Sequence, residues 1–369
     1  MRNAIFLFII ICCSCNKKET NEPSPTRGVP LAPISGVSID VIYQDSTSIR
    51  AVEVSEHEIL FAGSNGVYGN FKINPISTSD DGAVVPSYFK TKNSGAIDFL
   101  DKKPAFRSLA NTTDAFFVLS IASPALLYKI DKNSEEINLV YIEQVEGVFY
   151  DAMTFWNDQE GIAMGDPVDG CLSIIITRDG GATWQKKACV TLPKTEVGEA
   201  AFAASDTNIK IIGDHAWIIT GGLKSRVLHS SDKGETWELF DTPIIQGSET
   251  TGGYSMDFYD DKNGIVYGGD YTTPEMTTNN IIRTQDGGKT WSSTTAGTNQ
   301  GYKSCVQYVP YSNGNELIAL GFTGISYSQD GGDHWKEISK ESLLSFRFLN
   351  DSIAYAGGRN KLVRLTFRR

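Results

Sequence analysis

Three observations in the sequence predict an all-β, seven-bladed β-propeller: one phrase returns four times, a pair of strands returns seven times, and each end of the chain carries half of an unfinished sheet. The phrase is "TRDGGATW" at 177–184, and it comes back as "SSDKGETW", "TQDGGKTW" and "SQDGGDHW". Its tryptophans, Trp184, Trp237, Trp291 and Trp335, stand 53, 54 and 44 residues apart. Self-similarity with a period of roughly 40–50 residues marks stacked supersecondary units such as propeller blades.

Taken in order, the first fourteen residues read as a signal peptide. One basic residue precedes an apolar run too short to span a bilayer as a helix. The "CCSC" that follows resembles a bacterial lipobox, which implies cleavage before Cys15 and lipid attachment to its thiol. Residues 15–35, polar and proline-rich, form a tether that cannot build a core. The propeller is expected over 36–369.

Its strand pairs are "IRAVEV" with "ILFAGSNG", "FRSLAN" with "FFVLSIAS", and "FYDAMTFW" with "GIAMGD". Then come "EAAFAAS" with "AWIITGG", "YSMDFY" with "GIVYGGD", "YKSCVQYV" with "LIALGFTG", and "SFRFLN" with "IAYAGGRN". The seventh unit ends at "KLVRLTF" without a fourth strand, while "GVSIDVIYQ" at 36–44 has no unit of its own. Closing the last blade with this N-terminal strand removes both loose edges. Two separate β-domains are the alternative, and they leave the first strand unexplained.

Each repeated phrase sits between an apolar strand and a short one, as the connection of a β-hairpin. Asp179, Asp232, Asp286 and Asp330 are placed to accept N–H groups of their own turn. Gly181, Gly234, Gly288 and Gly332 stand where a positive φ is needed. The tryptophans tuck against the blade packing. All of this is structural, so no catalytic role is assigned to these aspartates.

The bulk numbers exclude several functions. The chain has 33 Lys and Arg against 44 Asp and Glu, a net charge of −11, and no basic run. Nucleic acid is therefore no partner, because phosphate binding needs a basic stripe. No G-x-G-x-x-G follows a strand and opens a helix, so no dinucleotide cofactor is expected. The four histidines, His57, His215, His229 and His334, are expected in different blades without ligand spacing, so no metal is expected either. Export permits a disulfide. Folding the hairpin about Gly180 brings Cys171 and Cys189 nearly opposite each other; the alternative is that they and Cys305 are three buried thiols.

The phrase Ser/Thr-x-Asp-x-Gly-x-Thr/His-Trp resembles the Asp-box of BNR-repeat proteins. Together with "FRSL", "FWNDQEGIAMGDPVDG", "FYDDKNGIVYGGDY" and "GFTGISYSQDGGDHW", it makes the mature chain similar to the photosystem II stability/assembly factor-like family. That resemblance implies a seven-bladed propeller and, by its photosynthetic members, an assembly chaperone. Similar bacterial lipoproteins carry loose oxidoreductase or glycosyl hydrolase labels.

In a propeller the first strand of each blade lines the channel, and the Asp-box turns lie on the face opposite the usual ligand side. Matching the seven first strands puts Arg50, Arg107, Tyr150, Glu199, Tyr254, Lys303 and Arg347 at one mouth, a cationic ring in an acidic protein. Asp166 and Asp270, at the ends of two second strands, are candidates to pair with those arginines. Arginine presents a planar fork suited to carboxylates or a peptide C-terminus. The function expected is a monomeric, exported scaffold, lipid-anchored at the bacterial outer membrane, that binds a protein partner or an anionic or glycan ligand. The alternative is a sialidase-like glycoside hydrolase with Arg50, Arg107 and Arg347 imitating an arginine triad and Tyr150 or Tyr254 as nucleophile. The Arg-Ile-Pro phrase of that family is missing.

Overall fold

The structure is a computed structural model that describes residues 32–78, 84–294 and 300–369. The expected signal peptide, Cys15 and most of the expected tether lie outside the described residues. Packing reaches back into the last residues of the expected tether, where Ile34 is buried in the core.

Every larger sheet is antiparallel and meanders outward from an inner strand. The second unit runs Phe106–Asn111, Ala115–Ser120, Ala125–Asp131, Ile137–Glu143. The third runs Tyr150–Phe155, Gly161–Val168, Cys171–Thr177, Gln185–Lys186. Later units repeat the plan, for example Cys305–Tyr308, Leu317–Gly321, Gly324–Ser328, Lys336–Ser339. Burial explains the sequence pattern. The two middle strands are covered on both faces, so "AFFVLS" and "CLSIIIT" are apolar without alternation. Outermost strands such as Gln185–Lys186 face water and are polar.

The core is a series of layers between consecutive sheets. Ala51 and Leu60 pack with Phe106 and Phe116, and Phe117 and Leu119 pack with Met153 and Ile175. The series returns on itself where Ile49 and Phe61 meet Tyr355 and Leu362. The backbone closes at the same place. The strand Gly36–Val54 pairs by its first half with Ile353–Arg368, from Gly36 opposite Arg368 to Ser48 opposite Arg359. Its second half pairs with Glu58–Gly63. Ser35 N–H adds a bond to the Arg368 carbonyl at 2.7 Å.

The four repeated turns share one geometry. In the first, Asp179 accepts the Thr183 N–H at 2.9 Å and the Thr183 hydroxyl at 2.6 Å, and the Gly181 N–H donates to the Thr177 hydroxyl. Burial would raise the Asp179 carboxyl, but these donors hold it below the ordinary range. Asp232, Asp286 and Asp330 accept the N–H groups of Thr236, Thr290 and His334 in the same way. Gly181 has φ +73°, and a Cβ there would lie 2.2 Å from the Phe117 ring of the preceding sheet. Both facts require glycine.

The sulfurs of Cys171 and Cys189 are bonded, with their Cα atoms 5.6 Å apart, and Cys305 is buried and free. His215 and His229 do not belong to different blades. They face each other on paired strands of one sheet, Nδ1 to Nε2 at 2.8 Å, stacked beside Trp217. Among the described residues no three His, Cys, Asp or Glu converge as a metal-binding group.

The fourth unit departs from expectation. Its inner strand is Ile209–Ile212, paired with His215–Ile219, and not "EAAFAAS". The small residues, Asp206, Thr207 and Asn208 of the preceding segment favour local side-chain bonds over a ladder. Ala201–Asn208 instead runs down the axis and is bound by the inner strands around it. Asp206, at φ +60°, accepts the Leu109 and Met153 N–H groups at 2.8 and 2.9 Å. Ser205 bonds the Ser304 carbonyl, Thr207 bonds the Ser255 hydroxyl at 2.7 Å, and the Met256 N–H donates to the Thr207 carbonyl. Ser205 and Asn208 are completely buried. The axis is thus filled, with a cavity at each end.

Candidate functional site

The inner strands place the site through a shared irregularity. Ile49 pairs with Gly63 and Ala51 with Ala62, which leaves Arg50 in a β-bulge. The same slip isolates Arg107, Asp151 and Tyr254. A bulge residue escapes the two-residue alternation and re-aims its side chain. Arg50, Arg107 and Tyr254 accordingly line one cavity of about 390 Å³, together with Asp166, Phe202, Tyr271, Tyr302, Phe322 and Arg359. Its floor is the backbone of Ala201–Ala204.

Two guanidinium groups dominate this mouth. Arg50 donates to the Ala204 carbonyl and Arg107 to the Ala203 carbonyl, each at 3.3 Å. Neither forms an ion pair with a carboxylate among the described residues. Burial, and then the neighbouring charge of Arg107, pull the Arg50 guanidinium down to about 10, so it remains charged at neutral pH. Aromatic walls surround the pair. Tyr254 stacks on Phe202 at 3.9 Å, Tyr302 meets Tyr254 edge-on at 4.8 Å, and Phe322 lies 5.2 Å from Tyr302. Tyr271 and Phe322 are also exposed to solvent.

The other expected members of the ring lie elsewhere. Tyr150 stands one residue before the bulge and Lys303 two residues before the strand Cys305–Tyr308, and both turn into the blades. Tyr150 is fully buried and donates to Glu143 at 2.8 Å. Lys303 is 1 % exposed and donates to Thr323 and to the Gly324 carbonyl, and burial pulls its ammonium down to about 8. Glu199 is not on an inner strand. It is buried in a fork with Arg226, Nη2 to Oε2 at 2.5 Å, and accepts the Thr220 hydroxyl. Arg347 is three residues out of register. It lines the cavity at the opposite end, bonded to Glu53 at 2.9 Å and to the Asp206 carbonyl at 3.0 Å. Asp270 accepts the N–H and hydroxyl of Thr272, and Asp166 accepts the Ala201 N–H at 2.7 Å, so neither pairs with Arg50 or Arg107.

The structure therefore brings together Arg50, Arg107, Tyr254 and Asp166, and adds Phe202, Tyr302, Arg359 and the buried Asp151. The expected triad of Arg50, Arg107 and Arg347 does not form, because Arg347 is at the far end and Arg359 is the third arginine of this cavity. Neither tyrosine resembles an activated nucleophile. Burial raises both phenols, and Tyr254 donates its hydrogen to the Thr250 carbonyl.

No family model and no curated protein matches the sequence. Solved structures do match it. One is "YCF48 bound to D1 peptide", at TM-score 0.60 and 12% identity over 92% of this chain and 100% of that one. Another is YCF48 from Cyanidioschyzon merolae, at 0.61 and 10% over 90% and 99%. The WD40 repeats of RRP9 align at 0.57 and 10% over 92% and 100%. The fold is a β-propeller. One of these similar propellers is built of WD40 repeats, and at 10–12% identity the likeness concerns backbone architecture and leaves the site to be argued from its own residues. In propeller terms, the arginine mouth opens on the face of the loops bearing Asp166, Tyr271 and Phe322, and the repeated Asp turns lie at the other end.

Proposed function

We propose that the chain is a protein-interaction or assembly scaffold that holds an anionic group of a partner polypeptide at the Arg50–Arg107 mouth. The propeller has seven blades with Asp-box turns, and pairing of 36–44 with the C-terminal strand makes the first sheet two blades joined at one edge. The mature protein is exported and tethered to the bacterial envelope by lipid on Cys15, which would leave a rigid disc free to dock near the membrane surface.

One observation carries the reading: two neighbouring, half-buried guanidiniums are held by backbone carbonyls alone. Cations without an ion-pair partner are costly to bury, and a bound carboxylate would relieve the cost with bidentate bonds. The aromatic walls suit an apolar side chain next to that carboxylate. The filled axis suits a chain end, since nothing can thread through. One similar propeller is described as bound to a peptide, which agrees with a ligand of this kind.

The test is fluorescence polarisation with a panel of short apolar peptides, each with a free C-terminal carboxylate and each also as its amide. The carboxylates should bind, and Arg50→Ala with Arg107→Ala should weaken them at least tenfold. Equal binding of acid and amide forms would contradict the proposal.

A further inference from the structure

Asp151 occupies the same bulge position as Arg50 and Arg107, in the next sheet around the ring, because Tyr150 pairs with Gly165 and Ala152 with Met164. It is fully buried, and neither carboxyl oxygen has a hydrogen-bond partner of ordinary geometry. The backbone N–H groups of Ala203 and Asp166 favour its ionised form. The charged groups that act on it are Asp166 and Arg107. Beyond Arg107 stand Arg50, then Arg359 and Tyr302. No histidine or lysine takes part.

Resting on the pocket assigned above, we infer that the Asp151–Asp166 carboxyl pair sets the charge of the arginine mouth and makes its hold on an anion depend on pH. An ionised carboxylate without hydrogen bonds is costly to bury, and two adjacent ones repel. Burial, then the charge of Asp166, drive the Asp151 carboxyl well above its usual range against the pull of Arg107. Burial alone pushes Asp166 up to about 6, against the Ala201 N–H. Once Asp166 ionises, its charge further favours the neutral form of Asp151. Below about pH 6 both carboxyls are neutral, and the mouth presents its arginines alone. Above it the pair takes up a negative charge beside Arg107 and competes with a bound anion. Affinity for an anion is therefore greatest in acid and falls as pH rises through about 6.

The probe is N-acetyl-Leu-Phe with a free carboxylate, which is ionised throughout the range. Its Kd should be on the order of tenfold weaker at pH 7.5 than at pH 5.0, as one nearby unit charge at an intermediate dielectric implies. Asp166→Asn keeps an oxygen for the Ala201 N–H and should abolish the difference in affinity between the two pH values. Side-chain ¹³C NMR of aspartate-labelled, ligand-free protein should show a carboxyl resonance titrating near pH 6 that Asp166→Asn or Asp151→Asn removes or moves. Equal wild-type affinity at the two pH values, or an undiminished ratio in Asp166→Asn, overturns the inference and leaves the pocket standing. No binding at any pH, with the carboxyl still titrating, overturns the pocket reading and the inference with it.

Discussion

The two ends of the axis are built from the same strands and treat charge in opposite ways. At one end, three residues beyond the bulge, Arg347 is paired with Glu53 and Lys210 with Asp257 at 2.6 Å, and the cavity of about 750 Å³ is bordered by charges that cancel. At the other, Arg50 and Arg107 share no carboxylate. The comparison teaches that cationic residues on inner strands are not sufficient to mark a site. On the proposed reading, the mouth whose arginines form no ion pair is the one that invites a ligand, and the ion-paired mouth belongs to stability.

Changes at the two ends should separate along that line, with the segment between them the most sensitive. Asp206→Ala would strand two buried N–H groups and place alanine at a left-handed φ, so urea unfolding should show a loss of about 3 kcal/mol. At the compensated end, Glu53→Gln leaves Arg347 unpaired and should cost about 2 kcal/mol in the same assay. At the open end, replacing both Arg50 and Arg107 by Met should change stability by no more than about 1 kcal/mol, because desolvated cations are removed. A loss there as large as that of Glu53→Gln would erase the distinction.

The Asp turns give a small effect. Asp179→Ala should lower stability by about 1 kcal/mol through lost turn bonds. Their carboxyls are held below the ordinary range by threonine and N–H donors despite burial. Their contribution is therefore complete above the unfolded-state value near 4 and is lost as pH falls through the lower folded-state value. Thermal scans between pH 5 and 2 of wild type and Asp179→Ala should converge in acid.

The fold was legible because its signals are local. An Asp, a Gly and a Trp at fixed offsets define each hairpin, and the unfinished halves at 36–44 and 361–368 point to each other. The site was only half legible, because the bulge breaks the alternation on which strand matching relies. Arg50, Arg107 and Tyr254 fall on the bulge and line one cavity. Tyr150 falls one residue before it, Lys303 lies two residues ahead of its strand, and Asp151, beside Tyr150, was passed over. Arg347 was placed by counting from a strand whose start the sequence does not mark. Glu199 was misplaced because "EAAFAAS" looks like a strand until its small residues are seen to lead into "DTN", where Asp206 satisfies neighbouring strands and not its own. The Phe202–Tyr254 stack had no signal in sequence at all, since its partners are brought together only by the axial segment.

The most direct test of the account is ¹⁵N NMR of the arginine side chains as benzoate is added at pH 5. The expected result is that the Nε–H signals of Arg50 and Arg107 shift together and saturate, while that of Arg347, engaged by Glu53, stays still. Movement of Arg347 in place of Arg50 and Arg107, or no saturable shift in any of the three, would contradict the claim that the mouth whose arginines form no ion pair is the binding site.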